Sequence, residues 1–115
     1  MAISPGYAEA VLDIFAFVPE VRIRRMFGGA GVFSGEMMFA LIIGDELFLK
    51  TDGETRPDFD AEGCTPWVYS RGGVERDMGY CRAPDAIWDE PDEARRWAEL
   101  AVAAAARRFK PKKRK

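Results

Sequence analysis

The chain has no histidine among its 115 residues. That excludes the Ser-His-Asp and Cys-His nucleophile arrangements and every zinc site built on imidazole. Cysteine is scarce too. Cys64 and Cys81 cannot make a four-thiolate site, and two thiols are too few to read as a disulfide framework. No apolar run approaches the roughly 18 residues of a membrane span. The opening Met1-Ala2-Ile3-Ser4-Pro5-Gly6 lacks the basic start and apolar stretch of a signal peptide. Apolar residues make up 48% and charged residues 31%, a balance that argues against wholesale disorder. At this length one domain can fold without disulfide or metal support. The expectation is a small, soluble, cytoplasmic domain with no catalytic residues, no metal and no cofactor.

The net charge of −2 hides an asymmetry. Arg107, Arg108, Lys110, Lys112, Lys113, Arg114 and Lys115 close the chain with no acid among them, and they are seven of its 17 basic residues. Residues 1–106 are left with 10 basic against 19 acidic residues, a net of −9. An acidic body repels a phosphate backbone out to a Debye length of roughly 8–10 Å. Nucleic-acid contact is therefore confined to the tail or to a local basic stripe.

Ser4-Pro5 reads as a helix start, a hydroxyl cap followed by proline at the first helical position. Tyr7, Val11, Ile14, Phe15 and Val18 recur at helical spacing, and Pro19 ends the run, predicting a helix over about residues 5–17. Val21 to Met26 alternates like a half-buried strand. The glycine cluster Gly28-Gly29-Ala30-Gly31 reads as a bend, with a second strand beginning at Val32 and Phe33. Met37 to Ile43 is apolar on both faces and predicts a central strand. Gly44-Asp45 is a hairpin turn, and Leu47 to Lys50 the returning strand. Residues 54–62, anchored by Phe59, form a short helix or loop. Two more strands, Pro66–Ser70 and Val74–Arg82, flank Gly72-Gly73. Asp89 precedes a long helix with Ala94, Trp97, Ala98, Ala101, Ala104 and Ala105 as its buried stripe. The fold class expected is α+β: an antiparallel sheet of about five to six strands with N- and C-terminal helices packed on it. The domain spans residues 5–109, with 110–115 a disordered basic tail.

Chemistry is sparse. The glycine cluster is not a phosphate loop, because a strand rather than a helix follows it and no Lys-Ser/Thr is present. Cys64 and Cys81 read first as buried reduced thiols; a redox pair or a thiol-dependent enzyme or carrier is the alternative. Asp45/Glu46, Asp58/Asp60 and Asp89/Glu90/Asp92/Glu93 fit turn and cap roles. Arg22, Arg24 and Arg25 form a basic stripe, either a solvated face or a phosphate or acidic-partner contact. Trp67, Tyr69 and Tyr80 could stack bases, although the RNA-binding consensus is missing and core or interface packing is favoured.

The stretch from Arg24 to Phe33 (R-R-M-F-G-G-A-G-V-F), then Phe39–Ile42, Leu47–Asp52, Met78-Gly79-Tyr80 and the Trp97 helix, resembles the N-terminal domain of the TfoX/Sxy family over about residues 5–108. The resemblance implies a small α+β domain and kinship with bacterial regulators of natural competence, which act with the catabolite-activator protein at promoters and are not enzymes. It singles out Arg25, Met26, Phe27, Gly28, Gly29 and Gly31 as a signature loop that is structural or binds a partner. Full-length regulators carry a second, helical domain, and here the chain stops at the basic tail. The reading favoured is a regulatory or adaptor module contacting a protein partner such as the transcription machinery or a regulator, with self-association into a homodimer plausible. The alternative is nucleic-acid binding through Arg22, Arg24 and the tail from Arg107 to Lys115.

Overall fold

A computed structural model describes residues 4–26 and 28–109. The order is α1 (Pro5–Ile14), β1 (Val21–Met26), β2 (Gly29–Ser34), β3 (Met37–Ile43), β4 (Glu46–Lys50), α2 (Arg56–Ala61), β5 (Pro66–Arg71), β6 (Val74–Arg82), a 3-10 turn (Asp85–Trp88) and α3 (Pro91–Arg108). The six strands make one antiparallel sheet in the order β1-β2-β3-β4-β6-β5. This is the expected α+β arrangement.

The helices lie on one face. Val11 of α1, Phe59 of α2, Ile87 of the 3-10 turn and Trp97, Ala98 and Ala101 of α3 share one buried cluster with Val32, Phe39, Ile42 and Leu49 of the sheet. The alanine stripe of α3 is buried throughout, and its small side chains let the helix sit close to β3 and β4. The cluster's largest side chains meet as aromatic pairs, Phe59 on Trp97 at 4.8 Å and Phe15 on Phe39 at 5.4 Å between ring centres.

Several local readings change. Helix α1 stops at Ile14, because Phe15 leaves helical geometry and the Val18 N–H donates to the Phe15 carbonyl in a tight turn. Ser4 stands at the N-cap of α1 with Pro5 at the first helical position, as expected, but its hydroxyl does not cap the helix. Its hydroxyl and backbone N–H both donate to the Asp45 carboxylate, at 2.8 and 3.1 Å, tying the helix start to the β3–β4 turn. Strand β2 begins at Gly29, so most of the glycine cluster lies inside the strand. Helix α3 starts at Pro91, as the sequence implies with Asp89 preceding it, and no side chain caps it. Phe27 and residues 110–115 lie outside the described residues, and with them the expectation of a disordered tail.

Candidate functional site

Register places the signature residues. Met26 pairs with Gly29, Arg25 with Ala30, Arg24 with Gly31, Ile23 with Val32 and Arg22 with Phe33. Gly28 has φ 79°, a left-handed conformation that glycine adopts without steric cost. Gly29 and Gly31 are needed for space instead. A Cβ on Gly29 would stand 2.6 Å from the Ile42 carbonyl oxygen of β3. One on Gly31 would stand 2.6 Å from Met38 Sδ and 2.9 Å from Phe33 Cε1. The backbone of this stretch bonds to β1 on one side and β3 on the other, which leaves no fan of free N–H groups for a phosphate.

Paired residues in an antiparallel sheet share a face. Val32, Ala40, Leu49 and Cys81 pair across the sheet on the helix side, and all four are buried. The opposite face carries Arg22, Phe33 and Met38 in one row, and Arg24, Gly31, Leu41, Phe48 and Arg82 in the next. Lys50 and Tyr80 follow. Phe33, Phe48 and Tyr80 are nearly buried yet stand outside the main core cluster, so they form a second, thin apolar layer. Trp67 leans on Phe48 and Tyr80 at 6.2 and 6.5 Å, and Met38 and Leu41 are half-buried at the surface of this layer. A register shift at Val32/Phe33 explains why β3 does not alternate cleanly: Val32 faces Ala40 while Phe33 faces Met38, leaving Phe39 free to enter the main core.

Basic groups rim the layer. Arg22 lies 5.4 Å above the Phe33 ring and donates to the Gly35 carbonyl. Lys50 sits 4.8 Å from the Tyr80 ring, and its pKa is lowered by burial and by nearby Arg108. Arg24 is exposed and makes no ion pair among the described residues. The stripe expected from Arg22, Arg24 and Arg25 is therefore incomplete. Arg25 pairs with Ala30 and belongs to the helix side, because Arg24 and Arg25 are consecutive on a strand.

Of the tail cations, two are described. Arg107 is held by Asp52 through two hydrogen bonds at 2.5 and 3.0 Å, which fastens the end of α3 to the loop after β4. Asp52 also accepts the Thr55 and Glu54 N–H groups, and with Arg107 they hold its carboxyl down to about 2. Composition gave no hint of this pair, since the two residues are 55 positions apart. Arg108 lines an open cleft of about 660 Å³ with Lys50, Arg56, Asp60, Asp77 and Gly79. Lys110, Lys112, Lys113, Arg114 and Lys115 lie outside the described residues.

The two thiols sit in different surroundings. Cys81 is buried and accepts a hydrogen bond from Arg56 Nε at 3.2 Å, while Arg56 also pairs with Asp77. Burial pushes the half-buried Cys64 up to about 11, with Cys81 adding to the effect. Of the three aromatic candidates for base stacking, only two are in contact with each other. Trp67 and Tyr80 pack in the thin layer, whereas Tyr69 stands exposed beside Arg76 on the β5–β6 hairpin. Among the described residues no three His, Cys, Asp or Glu side chains cluster as metal ligands, and no helix is long and apolar enough to cross a membrane.

A model of the TfoX N-terminal domain family matches residues 13–105. No curated protein matches the chain.

Proposed function

The chain belongs to the TfoX N-terminal domain family, a family associated with competence regulation, and from that premise we propose that it is a non-enzymatic regulatory adaptor that holds a protein partner against the open face of its sheet. One observation carries the reading. The face without helices carries a packed group of Phe48, Trp67 and Tyr80 and a nearly buried Phe33, with half-buried Met38 and Leu41 beside them and Arg22 and Arg24 on the rim. Aromatic residues, Met and Arg are the residue types that interface centres concentrate. The exposed guanidinium of Arg24 would meet a carboxylate of the partner, and such a rim charge sets orientation and on-rate.

Duplex DNA is the weaker reading, because Arg107 is already bound by Asp52 and the body around it is acidic. The test uses a naturally competent bacterium deleted for this gene and carrying a competence-gene reporter. Complementation with Arg24→Glu is expected to lose most of the signal at unchanged protein level, and removal of residues 110–115 to keep it. The reverse pattern would transfer the function to the tail.

A further inference from the structure

The two edges of the sheet are built differently. Edge strand β1 carries Arg22, Arg24 and Arg25 in six residues, and charge of one sign along an edge discourages pairing with another chain. Edge strand β5, Pro66-Trp67-Val68-Tyr69-Ser70-Arg71, has a single charge at its far end. It bonds only to β6, and β6 bonds to β4 only from Tyr80 to Arg82. Residues 68–71 and 74–77 therefore stand out as a two-stranded ribbon, exposed on both faces. Of the five large apolar side chains exposed among the described residues, Val68, Tyr69, Val74 and Met78 are on this hairpin. A two-stranded ribbon is marginal in water unless something pairs or covers it.

We propose that β5 pairs antiparallel with β5 of a second copy of this chain, joining two six-stranded sheets into one of twelve strands. A second copy is the occupant because antiparallel pairing of identical strands is self-complementary. Each free N–H on one edge meets the carbonyl that the same residues offer on the other. Sequence fixes the register. A two-fold axis through Tyr69 places Tyr69 opposite its own copy, Val68 opposite Ser70 and Arg71 opposite Trp67. That overlap uses five residues and leaves out Pro66, which has no N–H to give. It also keeps the two Arg71 side chains four positions apart and brings each guanidinium beside an indole, a favourable cation–π contact. Centring on Val68 would set Pro66 against Ser70, and centring on Ser70 would run Val68 into the glycine turn. This inference rests on the edge strand and not on the partner proposed for the open face, although Trp67 belongs to both.

Sedimentation equilibrium of the full chain tests it. The expected species at micromolar to millimolar concentration is a reversible dimer of twice the 12.9 kDa chain mass. Tyr69→Lys sets two ammonium groups opposite each other and should weaken dimerisation at least about tenfold. Arg24→Glu, on the other edge, should leave it unchanged. In a Cys64→Ser background, Tyr69→Cys should form an intermolecular disulfide under mild oxidation, and Val74→Cys should not. A chain that stays monomeric at millimolar concentration overturns the proposal, as does a dimer indifferent to Tyr69→Lys in which Tyr69→Cys fails to cross-link.

Discussion

The half of the molecule under the helices and the β5–β6 ribbon are built on opposite principles. Strands β1 to β4 fill one face with Val32, Phe39, Ile42 and Leu49 and close it with α1 and α3. Among the described residues the ribbon has no third strand and no helix, and its apolar side chains are exposed. Apolar burial is concentrated in the first region, and the second leaves its apolar side chains exposed. Between them lies the thin layer around Phe33 and Phe48, nearly buried on the face that carries no helix.

That contrast can be broken most forcibly at Trp97. It is fully buried against Phe59, so Trp97→Ala should cost about 3–5 kcal/mol, a large part of the stability of a domain this size. Chemical denaturation checks it through a lower midpoint at unchanged slope. Next come the signature glycines. Gly31→Ala drives a methyl into Met38 and Phe33 and should cost about 1–3 kcal/mol. Gly29→Ala should cost more than Gly31→Ala, since it meets the backbone of β3, which cannot turn aside as a methionine can. On the ribbon, Val74→Ser should change stability by less than about 0.5 kcal/mol, because Val74 is already more than half exposed. Amide exchange in the described chain should be fastest at residues 68–71 and 74–77 in the monomeric Tyr69→Lys variant, and slowest in β3 and β4.

The smallest effect is the pH dependence of the Asp52–Arg107 clamp. The native carboxyl titrates near 2, below its ordinary value of 3.8, so the clamp's stabilisation is present above pH 4. It is lost as pH falls from about 4 towards 2, and Asp52→Asn should remove that part of the acid sensitivity. Thermal melts of both chains between pH 2 and 6 would show the two curves converging at the acid end.

Most of the fold was legible in the sequence, for local reasons. Alternation marked β1, the alanine stripe marked the buried side of α3, and Gly44-Asp45 and Gly72-Gly73 marked two hairpin turns. The errors occurred where a tertiary partner took over a local group. Asp45 drew Ser4 away from capping α1, and Ile42 and Met38 crowd glycines that belong within β2. Of the candidate site, Arg22 and Arg24 were legible from alternation, whereas Arg25 was assigned to the wrong face by treating three arginines as one stripe. Met38, Leu41 and Phe48 were not legible as a surface, because an apolar run reads as core until the topology shows that helices cover one side only.

The open face can be tested inside a competent cell by placing a photoreactive amino acid at Leu41, on that face, or at Glu99, exposed on α3. On irradiation, Leu41 should yield a single discrete adduct with another protein, lost when Arg24→Glu is added, and Glu99 should yield none. An adduct formed equally from Glu99, or none from Leu41, would contradict the account.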